Sequence, residues 1–222
     1  MSAAEIPEPY SSPPRIKAST PRQLWEGPAY IDRGLLEVSG MKVESIEFDL
    51  EGCDDFEITT SSLNDVTFAA EHCATAEVRQ STFNNCDFGS LKFRSLRSAS
   101  FVDSKLLGTD FSGAVLTDVL FERCILRYAN LRRAKLSRVA FSNCTLLDID
   151  AFEASFDDVD FSRSTLTKVN IDRVTANRVD IRTARELGLN AVGRLDGWLA
   201  AGHQLPELAA PLALSVGLTV AV

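Results

Sequence analysis

The stretch FVDSKLLGTDFSGAVLTDVLFERCILRYANLRRAKLSRVAF, Phe101 to Phe141, puts an apolar residue at every fifth position. Leu106, Phe111, Leu116, Phe121, Leu126, Leu131 and Leu136 fill the steps between its ends. A helix has a period of about 3.6 residues and a strand about 2, so neither produces this spacing. The rhythm continues through Leu146, Ala151, Phe156, Phe161, Leu166, Ile171 and Ala176 to Ile181. A second run on the same period begins at Val38 and ends at Phe93. The two runs hold 29 positions, all apolar. A hydrophobic content of 45% would give roughly 13 by chance.

A second inward position lies two residues earlier. It is small or β-branched, beginning with Ala99, Ser104, Thr109, Ala114 and Val119, as suits a backbone passing close to a narrow axis. The other three positions are rich in Asp, Asn, Ser, Thr and Arg, which favour solvent and tight turns. A longer period is superimposed. Phe101, Phe121, Phe141 and Phe161 recur every twenty residues, and so do Leu106, Leu126, Leu146 and Leu166. Four pentads therefore make one coil, with like side chains in columns. At the spacing of neighbouring strands the pattern predicts about seven coils, a rod on the order of 34 Å long. Each coil can bury its apolar residues only by stacking on the next.

Stretches such as Ala129-Asn130-Leu131-Arg132-Arg133 and Val159-Asp160-Phe161-Ser162-Arg163 resemble the pentapeptide-repeat family, whose consensus is A(D/N)LXX. The resemblance covers about residues 36–183. It implies an all-β fold, a right-handed quadrilateral β-helix, here with a short C-terminal helical cap. The organisation expected is a Pro-rich tail and cap over 1–35, the β-helix over 36–183, and a helical cap or dimerisation segment over 184–222. Trp25 and Tyr30 are expected to cover the first coil.

Two irregularities interrupt the pattern. Phe93 to Phe101 is a step of eight, read as three extra residues near Ser95-Leu96-Arg97 forming a bulge or corner loop, a break near 94–98. Glu51 and Glu71 occupy inward positions twenty apart. Two stacked buried carboxylates cannot both stay charged without help, so this face is expected to be distorted. After Ile181 the five-residue rhythm stops. Gln204 to Ser215 then reads as helix, with Leu205, Leu208, Ala209 and Leu212 at helical spacing and Pro206 in the first turn. Pro211 should kink or split it, Gly217 should end it, and Leu218 to Val222 reads as a short apolar strand. Leu205, Leu208, Leu212 and Val216 are the residues expected to cap the rod or join two copies. The gyrase-binding members of the family pair through their C-terminal ends.

The sequence offers little for chemistry. His72 and His203 are its only histidines, and no phosphate-binding or dinucleotide fingerprint appears. Glu71-His72-Cys73 with Cys53 suggests a metal, but His72 precedes an inward residue and points away from Cys73. The five cysteines fall at inward positions and read as buried thiols. No catalytic residue, cofactor or metal is therefore expected, and the chain reads as no enzyme. The N-terminus lacks the cationic start and apolar run of a signal peptide, which points to the cytoplasm. No apolar run is long enough to span a bilayer.

The net charge of −8 argues against binding nucleic acid and is compatible with a basic protein partner. It is unevenly placed. Residues 36–93 carry 3 Lys+Arg against 12 Asp+Glu, and residues 94–187 carry 15 against 13. Two functions follow. One is a protein-interaction scaffold. The other, implied by the resemblance, is a DNA mimic that binds a type II topoisomerase such as DNA gyrase and modulates quinolone sensitivity. Glu44, Glu47, Asp49, Asp54, Asp55, Glu57, Asp65 and Glu77 are the expected contact surface for either. Against mimicry, Asp118, Arg138, Asp158 and Arg178 form one column of alternating charge, and Arg133, Glu153 and Arg173 form another.

Overall fold

The computed structural model describes residues 14–16, 21, 23–24, 34–51, 53–69, 75–192 and 194–218. The expectations for Trp25, Tyr30, Glu71, His72, Cys73 and the strand after Leu218 lie outside them. The architecture is a parallel β-solenoid with four faces per coil, as the twenty-residue recurrence requires. On the first face the strands Leu35–Ser39, Asp55–Thr59, Thr75–Arg79, Lys92–Val102, Val115–Glu122, Lys135–Ser142, Ser155–Asp160 and Thr175–Asp180 stack in parallel. Eight strands mean eight coils, one more than the pentad count predicts.

The difference comes from the C-terminal end. Leu166 pairs with Leu187, twenty-one residues on, and Val179 with Trp198, nineteen on. These slips hide the period after Ile181. The coil nonetheless continues through strand Glu186–Val192, with Leu187, Leu189 and Val192 buried, so the β-helix runs past residue 183.

Inward residues form the expected columns. Phe83, Phe101, Phe121, Phe141 and Phe161 stack along the second face with centroids 4.8, 4.9, 4.9 and 5.2 Å apart. Their rings are nearly parallel, which a rise of one strand spacing per coil imposes. Trp198 lies flat over Phe161 at 6.5 Å and closes the stack.

The corners explain the polar positions of the repeat. Ser45, Asp103, Asp118, Arg123, Asn143 and Lys168, each two residues after an inward one, adopt φ between +50° and +56°. This left-handed conformation costs a residue with a side chain on the order of 1 kcal/mol, and Gly113 takes it at φ +68° without that cost. The Asp or Asn of the repeat bends other corners. Oδ1 of Asp110, Asn130, Asp150, Asn170 and Asp180 accepts the N–H two residues on, at 2.9–3.1 Å.

The step of eight resolves differently from its sequence reading, whereas Glu51 reaches solvent on a distorted face, as expected. Lys92–Val102 is one continuous strand. Leu96 is fully buried between Val78 and Leu116. Val78 and Leu96 are eighteen residues apart, as are Phe83 and Phe101, where other coils take twenty. The corner is therefore two residues short rather than three too long, and only Arg94 bulges at the register shift between Phe93 and Ser95. A loop at 95–97 would have exposed Leu96 to water, which its burial avoids. Glu51 is exposed, and Leu50 beside it takes the buried place at 1% exposure. The Glu51 N–H donates to Asp49 Oδ1 at 3.0 Å, turning the chain so that the apolar neighbour goes in.

Helix α1, Leu205–Ser215, closes the C-terminal end as a single helix that runs through Pro211; Pro211 does not split it. Gly217 ends it at φ +83°, with Gly217 N–H on Leu214 O and Leu218 N–H on Ala213 O. Gln204 sits at its start, 1% exposed. The Gln204 Nε2 donates to the carbonyls of Ile181 and Ala184 at 2.7 and 3.2 Å, and its Oε1 accepts from Ala201 N–H at 2.8 Å. These groups belong to the last turn of backbone, where no further coil supplies partners. Gln204→Leu should therefore cost about 2 kcal/mol of stability, read as a lower urea midpoint, whereas a change at an exposed helix position such as Ala210→Gln should cost less.

Candidate interaction surface

On a four-faced coil every outward side chain neighbours the one twenty residues away. The eight acidic residues singled out by the sequence consequently wrap the rod instead of sharing one patch. Glu57 and Glu77 lie on the first face, Glu44 on the second, Glu47 and Asp49 on the third, and Asp54 follows Cys53 on the fourth. Asp55 and Asp65 stand at corners. Several are already engaged. Glu44 pairs with Lys42 at 2.7 Å, Asp55 and Glu77 both pair with Arg94, Glu77 pairs with Arg79 as well, and Asp65 accepts from Asn85. Glu47, Asp49, Asp54 and Glu57 have no cation partner among the described residues.

The first face holds a residue that the sequence reading passed over. Glu37, Glu57 and Glu77 are register partners in three successive coils. Their twenty-residue spacing was the available signal. Like charges directly opposite are unfavourable, and Arg94 and Arg79 relieve only the Glu77 end.

In the second half the charged columns appear as read. Arg138 grips both oxygens of Asp118 at 2.7 and 2.8 Å, and Arg123 grips Asp103 at 2.7 and 2.9 Å. Arg178 pairs with Asp158 in the same bidentate way. Glu153 sits between Arg133 at 2.9 Å and Arg173 at 3.4 Å, and Lys168 lies 3.7 Å from Asp148. Arg123, Arg132, Arg133 and Arg138 are thus neutralised within the coils. Exposed pairs of this kind contribute modestly, on the order of 0.2–1 kcal/mol each.

Arg138 holds the Asp118 carboxyl below the usual carboxylate range, and Arg133 with Arg173 does the same for Glu153. Burial pushes Asp160 the other way. Among the buried thiols, Cys86 is pushed up to about 11 by burial. Cys144 is raised by its bond with Cys124 and by burial. Cys53 and Cys124 are also buried and unpaired in disulfides.

Two shallow clefts flank the shortened coil. One of about 170 Å³ is lined by Thr75, Lys92, Phe93, Arg94, Ser112 and Gly113. The other, of about 250 Å³, is lined by Asp65, Thr67, Asn85, Cys86, Asp87 and Lys105. Both fall below the roughly 300 Å³ at which small-molecule sites begin. Among the described residues no group of three or more His, Cys, Asp or Glu could hold a metal ion, and no helix is long and apolar enough to cross a membrane. At the C-terminal end Leu208 is buried and Leu212 packs on the core. Leu205 and Val216 are exposed at 60% and 81%. The four residues read as cap or dimer contact therefore divide into two that cap and two that face outward.

A rod of stacked pentads with a packed axis and charge-laddered faces defines a repeat protein of the parallel β-solenoid class. The pentapeptide repeat region family model matches residues 76–151. Full-length QnrB1, a plasmid-mediated fluoroquinolone resistance protein, is similar in structure at 16% identity and a TM-score of 0.32, covering 81% of this chain and 99% of its own. HetL, a pentapeptide-repeat protein involved in heterocyst differentiation regulation from the cyanobacterium Nostoc, aligns at 12% identity and a TM-score of 0.31, covering 74% and 89%. No curated protein sequence matches the chain.

The opposed carboxyl shifts give the ion-paired half a testable pH signature. The stabilisation from Asp118 is full above the unfolded value of about 3.9 and is lost as pH falls through its lower folded value. That from Asp160 is full below about 3.9 and is lost as pH rises through its raised folded value. In thermal melts, the deficit of Asp118→Asn relative to the parent should shrink on acidification below about pH 4. Asp160→Asn should gain on the parent as pH rises through the same region.

Proposed function

We propose that this protein is a non-catalytic scaffold in the cytoplasm that binds a protein with a basic surface through the first face of its N-terminal coils. The observation that carries this reading is the carboxylate ladder Glu37, Glu57 and Glu77, in register over three coils. A row of like charge is unfavourable in the isolated rod, and an opposing cationic surface relieves it. The remaining acidic residues of these coils, notably Glu47, Asp49 and Asp54, extend the negative field that steers such a partner.

A narrower reading makes the partner a type II topoisomerase such as DNA gyrase, with the chain standing in for DNA. The acidic half and the rod shape favour it. The bidentate pairs Arg123–Asp103, Arg138–Asp118 and Arg178–Asp158 speak against it, because a duplex presents negative charge along its whole length.

Affinity capture with the full chain, compared with the triple variant Glu37→Gln, Glu57→Gln and Glu77→Gln, tests the scaffold reading. A basic partner should be recovered by the parent and depleted with the variant, while the variant's melting temperature stays the same or rises. Equal recovery by both chains would sink the reading. A supercoiling assay with purified gyrase tests the narrower one. Unchanged supercoiling and unchanged quinolone sensitivity, with the chain in excess over the enzyme, remove gyrase as the partner and leave the scaffold reading standing.

A further inference from the structure

The third face carries a pattern that cross-coil ion pairing does not explain. One outward row reads Glu47, Thr67, Asp87, Lys105, Ile125 and Thr145, each the register partner of the next. Two residues further along the strands a second row reads Asp49 and Ala69, then Leu107, Arg127 and Leu147; in the third coil Gly89 already lies in the corner turn, its N–H on Asp87 Oδ1. Through the first three coils these rows are acidic or small. Through the next three they are basic or large and apolar, apart from Thr145. Leu107 and Ile125 are each 40% exposed, and Tyr128 at the adjoining corner is 60% exposed. Lys105 and Arg127 have no carboxylate in ion-pair range among the described residues; the Arg127 guanidinium lies 5.5 Å from the centre of the Tyr128 ring.

We propose that this face binds the same face of a second copy of the chain, the two rods running antiparallel about a two-fold axis that crosses the face between the third and fourth coils. That axis places Asp87 opposite the partner's Lys105. It places Thr67 opposite the partner's Ile125, so a large apolar side chain meets a small residue. Arg127 lies opposite the partner's Ala69, one coil or about 4.8 Å from the partner's Glu47 and Asp49. Charge and size are complementary at these central coils, whereas at the two ends Glu47 and Asp49 fall opposite the partner's Thr145 and Leu147. A parallel pairing would instead set acid against acid and base against base, which like-charge repulsion disfavours. An isologous contact of this kind closes after two copies. It leaves the first face, with its glutamate ladder, open.

Sedimentation of the full chain over a wide concentration range tests the pairing. The parent should dimerise, and added salt should weaken the dimer. Asp87→Lys alone and Lys105→Glu alone should each weaken association by more than about tenfold. Mixing the two single variants should produce a heterodimer, because the reversed charges then face each other across the axis. Leu107→Asp, outward on the same face, should also weaken association; should either charge reversal fail to fold, Arg127→Glu replaces it with the same expected loss. A parent that stays monomeric overturns the proposal, as does a mixture that does not associate. A dimer that survives Lys105→Glu and Leu107→Asp but is lost with Leu214→Asp in α1 also overturns it and moves the contact to the C-terminal end.

Discussion

Backbone hydrogen bonding between one coil and the next is the constraint from which the rest of this molecule follows. Each coil has no sheet of its own; its amides find partners only in the coils above and below, as Thr145 N–H does on Cys124 O and Arg123 N–H on Ser142 O. That ladder sets the rise at one strand spacing, about 4.8 Å. The same rise brings like side chains into contact, and the parallel rings from Phe83 to Phe161 are its direct result. Corner geometry follows too. A chain that must turn every five residues accepts left-handed corners at Asp118 or Lys168 because the ladder on either side stabilises them.

A structure propagated by stacking has two ends where propagation fails. At the C-terminal end the carbonyls of Ile181 and Ala184, which no further coil meets, accept from one buried amide, Gln204, and the aromatic column is covered by Trp198. Helix α1 then turns Leu208 onto the exposed core and leaves the opposite side polar or open. At the other end Gln23–Leu24 adds a short strand beside Met41–Lys42. Edges are thus closed by local devices that need not obey the five-residue rhythm.

The same stacking governs charge. A residue twenty positions away is a neighbour, so an alternation of sign along a column becomes ion pairs, as at Asp118 with Arg138 and Asp158 with Arg178. A repetition of sign becomes a ladder of repulsion, as at Glu37, Glu57 and Glu77. The second half of the rod pairs most of its charges within the coils, and the first half leaves more of its carboxylates unmet among the described residues. The scaffold proposal rests on the half whose carboxylates are unmet, whereas the third face joins both kinds end to end.

Much of this was legible in the chain itself. The period of five, the coil of twenty, the inward columns and the charge pairs of the second half depend on spacing alone, and spacing is a property of sequence when every contact is to the residue one period away. Glu37 was within reach of the same rule. What spacing could not decide was how an interruption is absorbed. The step of eight from Phe93 divides equally well as five and three or as three and five, and only the burial of Leu96 between Val78 and Leu116 selects the second. Leu50 replaces Glu51 in the core, the last coil survives a slip of one residue at Leu187, and Gln204 supplies the cap for the same reason. Each is settled by which atoms the neighbouring coil leaves unsatisfied. The repeat therefore came from the sequence by itself, while its exceptions and its ends were decided only by tertiary structure, where burying an apolar group or pairing a stranded carbonyl outweighs keeping count.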